Sequence, residues 1–265
     1  VTEMKADGTV QKKYNSQDLA TWIGGHGSAN LEKVSIKLLN DDTSITSALT
    51  IGTGLAKEIE LDLNGHTLKL ADNARLYFER ANITITSSGS NEGTITGNYD
   101  YGNKFKGDGL VTADYDSILK IERVTIENAG KGSTVAMWGG VTCTIDEANI
   151  SGSNGSQEGV ITICDSNACT ITNTKVTGNV ASGYGAIMFM DSCSDCIISE
   201  GAVIKNENSG GYCVKVTGNY NVKITVKKGA TLTANAGNGF IMNTSYGKVV
   251  VNIEGGTFNG RLFLP

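Results

Sequence analysis

The chain has 265 residues; its 34 Gly and 24 Asn make up more than a fifth of it, and its one proline is the final Pro265. Charged residues are only 18 % of the chain and the net charge is -5, which argues against a nucleic-acid surface or a polybasic membrane contact. No uninterrupted apolar run approaches the roughly 20 residues of a membrane-spanning helix, so direct insertion into a bilayer is not expected.

In chain order, Val1 to Tyr14 is polar and lacks a signal-peptide core, so a trimmed export signal and a trimmed anchor are the expected flanks of an extracellular or cell-surface protein. Residues 15–23 (NSQDLATWI) are predicted to form a helix: Asn15 or Ser16 is its N-cap, Leu19, Trp22 and Ile23 are its apolar stripe, and Gly24-Gly25 ends it. Val34 to Leu39 reads as the first strand. Residues 1–48 make up this N-terminal cap and 49–265 a set of coils, within one domain.

The coils announce themselves as a repeat. Apolar strands that follow a turn begin near Leu110, Val135, Val160, Ala186, Cys213 and Phe240, with earlier copies near Leu49 and Arg75. A second strand starts in successive units at Leu119, Cys143, Cys169, Cys196, Val222 and Val249, and a third carries Ile126, Ile150, Val176, Ile204, Leu232 and Phe258. Three short strands per unit of about 25 residues, with Gly and Asn at the turns and no helical period, exclude a βαβ array. They predict an all-β fold, a single-stranded right-handed parallel β-helix with an N-terminal capping helix, whose equivalent residues stack in ladders. No comparable cap follows Phe258, so the last coil is expected to be continued by later sequence or covered in a homo-oligomer.

The order of capping helix, lead-in strand (VSIKLLNDDTSI), the segment IELDLNGHTLKL at 59–70 and irregular coils resembles the pectin-lyase-like right-handed parallel β-helix superfamily, and most closely its secreted and cell-surface bacterial members. The resemblance spans about residues 15–260. It implies the fold and leaves the activity open, since that superfamily contains lyases, hydrolases and adhesins.

The two histidines, His26 and His66, both lie near the N-terminus and are read as turn residues, so chemistry on the coils would rest on carboxylates, Lys or Arg. Asp-Ser recurs at the end of the first strand at 116–117, 165–166 and 191–192. Stacking of Asp165 on Asp191 would admit paired-carboxylate acid chemistry or a Ca²⁺ site, with Lys215 as the basic partner; the commoner role of Asp and Ser is to bond turn amides. No arginine falls between 135 and 240, and no lyase motif is present, so no catalytic residue, metal or other cofactor is assigned.

Cys143, Cys169 and Cys196 share one position and are expected to form a buried ladder with Leu119 and Val222 at its ends. A disulfide, or a zinc site of Cys164, Cys169, Cys193 and Cys196, is the alternative. The insertion between Gly97 and Gly109 carries Tyr99, Tyr101 and Phe105 among charged residues, which suits sugar recognition or a loop folded on its own coils.

The first strands are apolar at both alternating sets. Val135, Met137, Val160, Thr162, Ala186, Met188, Met190, Phe240 and Met242 are read as one, and Ala136, Ile161, Ile163, Ile187, Phe189, Val214 and Val216 as the other. The outer, methionine-rich set would be covered by the loop or serve a partner, with Trp138 beside it. Thr-x-Thr pairs at 84–86, 94–96, 142–144 and 170–172 are too interrupted by charged residues for an ice-binding face. The expected function is a non-catalytic module that binds carbohydrate or a host or bacterial surface protein through Tyr99, Tyr101, Phe105 and Trp138. The competing expectation is a polysaccharide lyase or hydrolase.

Overall fold

A strand three to seven residues long cannot bury an apolar face or pair both backbone edges by itself, and stacking coil upon coil solves both problems. The computed structural model of the chain describes residues 2–4, 10–13, 18–100, 108–155, 157–218, 220–235, 239–243 and 247–263. It is the parallel β-helix that the repeat implies. The third strands, from Thr67–Lys69 through Val124–Asn128 to Thr257–Asn259, form an eight-stranded parallel sheet. The first and second strands belong to one 18-stranded sheet, because in two coils they run on without a break, as Ser133–Asp146 and Ile161–Thr172.

Inward residues repeat from coil to coil and are almost all solvent-free. One ladder of the second strands reads Ile83, Leu119, Cys143, Cys169, Cys196, Ile224 and Val251. Ile126, Ile150, Val176, Ile204 and Leu232 form the corresponding ladder of the third. Each such side chain, once buried, contributes about 1.5–3 kcal/mol, so the core is a continuous column and not a set of separate clusters.

The N-terminal end is closed twice. Helix α1 (Leu19–His26) buries Leu19, Trp22 and Ile23 against the first coil, and Thr2–Met4 pairs antiparallel with Leu31–Lys37, which occupies that strand's open edge. The helix starts later than 15–23 because its N-cap is Asp18, whose carboxylate accepts from the Thr21 amide at 2.8 Å. The Leu19 and Ala20 amides donate to Asp42 Oδ2 and Ser44 Oγ, so three of its orphan donors are satisfied. It also runs through Gly24-Gly25 to His26. The His26 ring stacks on Trp22 at 4.6 Å and its Nδ1 donates to the Trp22 carbonyl, which holds the last turn. The lead-in strand is Leu31–Lys37, three residues ahead of the expected start. At the opposite end Ile253, Leu262 and Phe263 are exposed.

Two registers depart from expectation. Val135 pairs with Val111 and Ile161, so the rungs on either side are 24 and 26 residues apart, and Val135 and Met137 point inward. The outer row is therefore Thr50, Tyr77, Thr112, Ala136, Thr162, Met188 and Lys215. In the second strands Ile224, not Val222, stacks on Cys196, because an irregularity between Cys193 and Cys196 lets both sulfurs face the core.

Candidate functional site

The outer face of the first-strand sheet is where the structure gathers polar and aromatic groups on a rigid floor. Its middle is closed: Thr112, Ala136 and Thr162 have no exposure and Met188 has 2 %. The expected methionine-rich outer strip is thus a covered surface at Met188. Over it, Ser133 Oγ lies 2.6 Å from Thr162 Oγ1 and donates to Glu158 Oε2 at 3.2 Å, in a network with no exposure. A buried carboxylate of this kind is tolerated only when hydrogen-bonded.

Around this floor the groups become accessible. The Tyr77 hydroxyl donates to Asp114 Oδ2 at 2.6 Å, while Asp114 Oδ1 accepts from the Tyr115 amide at 2.7 Å. Burial first, then the hydrogen bond and charge of Asp114, push the Tyr77 phenol far above its ordinary range, so it stays a donor. The Arg75 guanidinium pairs with Asp108 and lies over the rings of Tyr77 and Tyr99, at 5.0 and 6.0 Å. Asp114 stands beside Glu79 in the preceding coil. One residue beyond the Ala113–Met137 rung, the same register sets Trp138 next to Asp114, about 4.8 Å away along the axis. Trp138 is half-buried. The result is a row of Arg75, Tyr77, Asp114 and Trp138 across three coils, aromatic surface interleaved with fixed donors and acceptors.

The residues expected from sequence divide unevenly. Tyr99 is 8 % exposed; its amide donates to Asn128 Oδ1 and its carbonyl accepts from Asn128 Nδ2 and Gly132, so it anchors the inserted loop onto the coils and is not a free contact residue. Burial pushes its phenol up to about 12. Tyr101 and Phe105 lie outside the described residues. Trp138 is half-buried, in register with Cys164 of the next coil.

Asp165 and Asp191 fall on adjacent coils, and Lys215 does not join them. Asp165 is an exposed corner residue with φ +55, and Asp191 Oδ1 accepts from its neighbour Ser192 at 2.6 Å, the turn role of such residues. Lys215 pairs in register with Met188. Its amine donates to the Gly183 carbonyl and lies 5.0 Å from the Tyr184 ring centre, so it is engaged away from the expected Asp191 partner. Burial lowers its pKa.

All six cysteines are free and buried. Cys169 is within hydrogen-bonding reach of Cys143 and Cys196; that contact, then burial, holds the latter two thiols well above the ordinary range. Burial raises Cys164 strongly and pushes Cys193 and Cys213 up to about 12. Among the described residues no group of three or more His, Cys, Asp or Glu is arranged to hold a metal ion.

Arg75, Asp114 and Glu158 are not singled out by sequence because none forms a local motif. Their common signal is that each sits at an outward position of a first strand or at its lead-in turn. Compared with protein-family models, with curated proteins and with solved structures, the chain matches none.

Proposed function

We infer that this protein is a non-catalytic binding module for carbohydrate, displayed at a cell surface and built on the architecture of the pectin-lyase-like superfamily. The observation that carries the reading is the row Arg75, Tyr77, Asp114 and Trp138. Amphipathic rings beside hydrogen-bonding groups already locked by Tyr77–Asp114 and Arg75–Asp108 suit a ligand with apolar faces and many hydroxyls. Pre-organised side chains lose little freedom on binding, and a solenoid supplies the rigid base. Protein-partner recognition finds less support, since the apolar outer strip that would serve it is covered at Ala136 and Met188. Acid–base catalysis finds less support as well, because Asp191 and Lys215 are engaged in local contacts and Asp165 is an exposed corner residue.

The test is a glycan array probed with the purified protein, with and without Ca²⁺. Trp138→Ala and Tyr77→Phe are expected to weaken any hit by at least about tenfold, the loss of one good contact, while Asp165→Ala leaves it unchanged. Binding that depends on Asp165 and Ca²⁺ and ignores Trp138 would overturn the assignment.

A further inference from the structure

The corner between the first and second strands of successive coils carries a column of left-handed residues: Arg80 at φ +53, Tyr115 at +52, Gly139 at +55 and Asp165 at +55. Glycine adopts this backbone freely, whereas a bulky aromatic residue there is an outlier. Asp116 is left-handed as well, at φ +57. The register fixes the comparison. Ala113 lies beside Met137 and Ile118 beside Thr142, so Tyr115 and Asp116 fill the two slots that Gly139 and Gly140 fill one coil later.

The turn itself does not use the tyrosine ring. Asp114 Oδ1 takes the Tyr115 amide, the Asp116 amide donates to the Gly139 carbonyl at 2.7 Å, and Ser117 Oγ donates to the Asp114 carbonyl at 2.5 Å. The ring points to solvent instead: Tyr115 is 46 % exposed, with the Arg80 guanidinium 4.5 Å from its centre. Among the described residues no carboxylate lies within ion-pair distance of Arg80, while nearby Lys57 is held by Glu32 at 2.7 Å. Arg80, Tyr115, Asp116, Asn82 and Lys57 line an open depression of about 370 Å³. Backbone strain retained at an exposed aromatic residue beside an uncompensated cation is the pattern of a binding position.

We propose that Arg80, Tyr115 and Asp116 form a subsite for an acidic sugar unit, one that carries a carboxylate or a sulfate ester. The guanidinium presents a planar fork of donors to two anionic oxygens, and its stacking on Tyr115 fixes that fork in advance. The phenol ring offers an apolar face to the C–H side of the sugar, and Asp116 and Asn82 take its hydroxyls. The class of ligand rests on the carbohydrate-binding reading; the place does not, since this corner lies beyond the Tyr77–Trp138 row.

The experiment titrates the protein with hyaluronan oligosaccharides, which carry carboxylate alone, with chondroitin sulfate oligosaccharides, which add sulfate, and with neutral dextran oligosaccharides. It uses the wild type, Arg80→Gln, Tyr115→Gly and Trp138→Ala. At least one acidic probe is expected to bind, with the stronger of the two naming the anion, and to lose about tenfold or more in affinity in both corner variants. Tyr115→Gly is expected to melt at or above the wild-type temperature, because glycine suits that backbone. Wild-type affinity in Arg80→Gln, failure of both acidic probes, or a Tm of Tyr115→Gly several degrees below wild type would overturn the proposal. A neutral probe that binds through Trp138 while both acidic probes fail would remove this subsite and leave the carbohydrate reading intact.

Discussion

Asn128 is the residue through which the inserted loop is fastened to the coils, and its removal has a calculable cost. Its Oδ1 accepts from the Tyr99 and Gly130 amides at 2.8 and 3.0 Å, and its Nδ2 donates to the carbonyls of Tyr99, Gly132 and Ser133. Asn128→Ala leaves two buried amides without a partner, at about 1–3 kcal/mol each. The Tyr99 carbonyl keeps the Gly132 amide at 2.9 Å, so the carbonyl side loses less. The expected destabilisation is about 2–6 kcal/mol in urea unfolding, accompanied by faster hydrogen exchange at Tyr99 and Gly130. Asn206 occupies the same column, yet among the described residues its Oδ1 accepts only the Asn208 amide, so Asn206→Ala should cost about 1 kcal/mol. Equal costs for the two variants, or a loss below about 0.5 kcal/mol for Asn128→Ala, would refute the reasoning.

Gly152 has φ +116, and a Cβ there would sit 2.0 Å from the Asn128 carbonyl oxygen, so Gly152→Ala should destabilise by about 3 kcal/mol in the same assay. All six thiols should be inert to Ellman's reagent in the native protein and react together on unfolding, whereas rapid native labelling would contradict their burial. The folded pKa values of Cys193 and Cys213, near 12, lie above the unfolded thiol value, so the folded state holds protons that the unfolded state releases. That stability is complete below about pH 8.5, declines as pH rises from there and is lost through about pH 12; Tm measured over this range should fall, and a flat profile would contradict it.

The repeat was legible because stacking forces equivalent residues to recur, and the three strands of each coil and most of the inner ladders follow from that period, although the first and second strands share one sheet. What the period does not carry is the length of each corner. A coil of 24 residues followed by one of 26 places Val135 and Met137 inward, since a one-residue slip exchanges the two faces of a strand. The irregularity at Cys193–Cys196 shifts Val222 off the cysteine ladder in the same way. The helix start was hidden because Asp42 and Ser44, more than twenty residues downstream, bind its first amides and favour Asp18 over Asn15 or Ser16 as the cap. The binding row was hidden for the same kind of reason: Tyr77 meets Asp114, and Arg75 meets Asp108, only once the coils before and after the insertion stack. Asp165 and Asp191 do fall on adjacent coils, as the spacing implies, but their backbone turns use them locally.

The claim of binding without turnover is tested most directly by recovering the ligand. A glycan bound by the wild type is incubated with a molar excess of the protein, with Ca²⁺ present, and its length and saturation are read by mass spectrometry. Full recovery of the intact glycan, together with loss of binding in Trp138→Ala, is the result the account requires. Shortened or unsaturated products that disappear in Asp165→Ala or Asp191→Ala would contradict it.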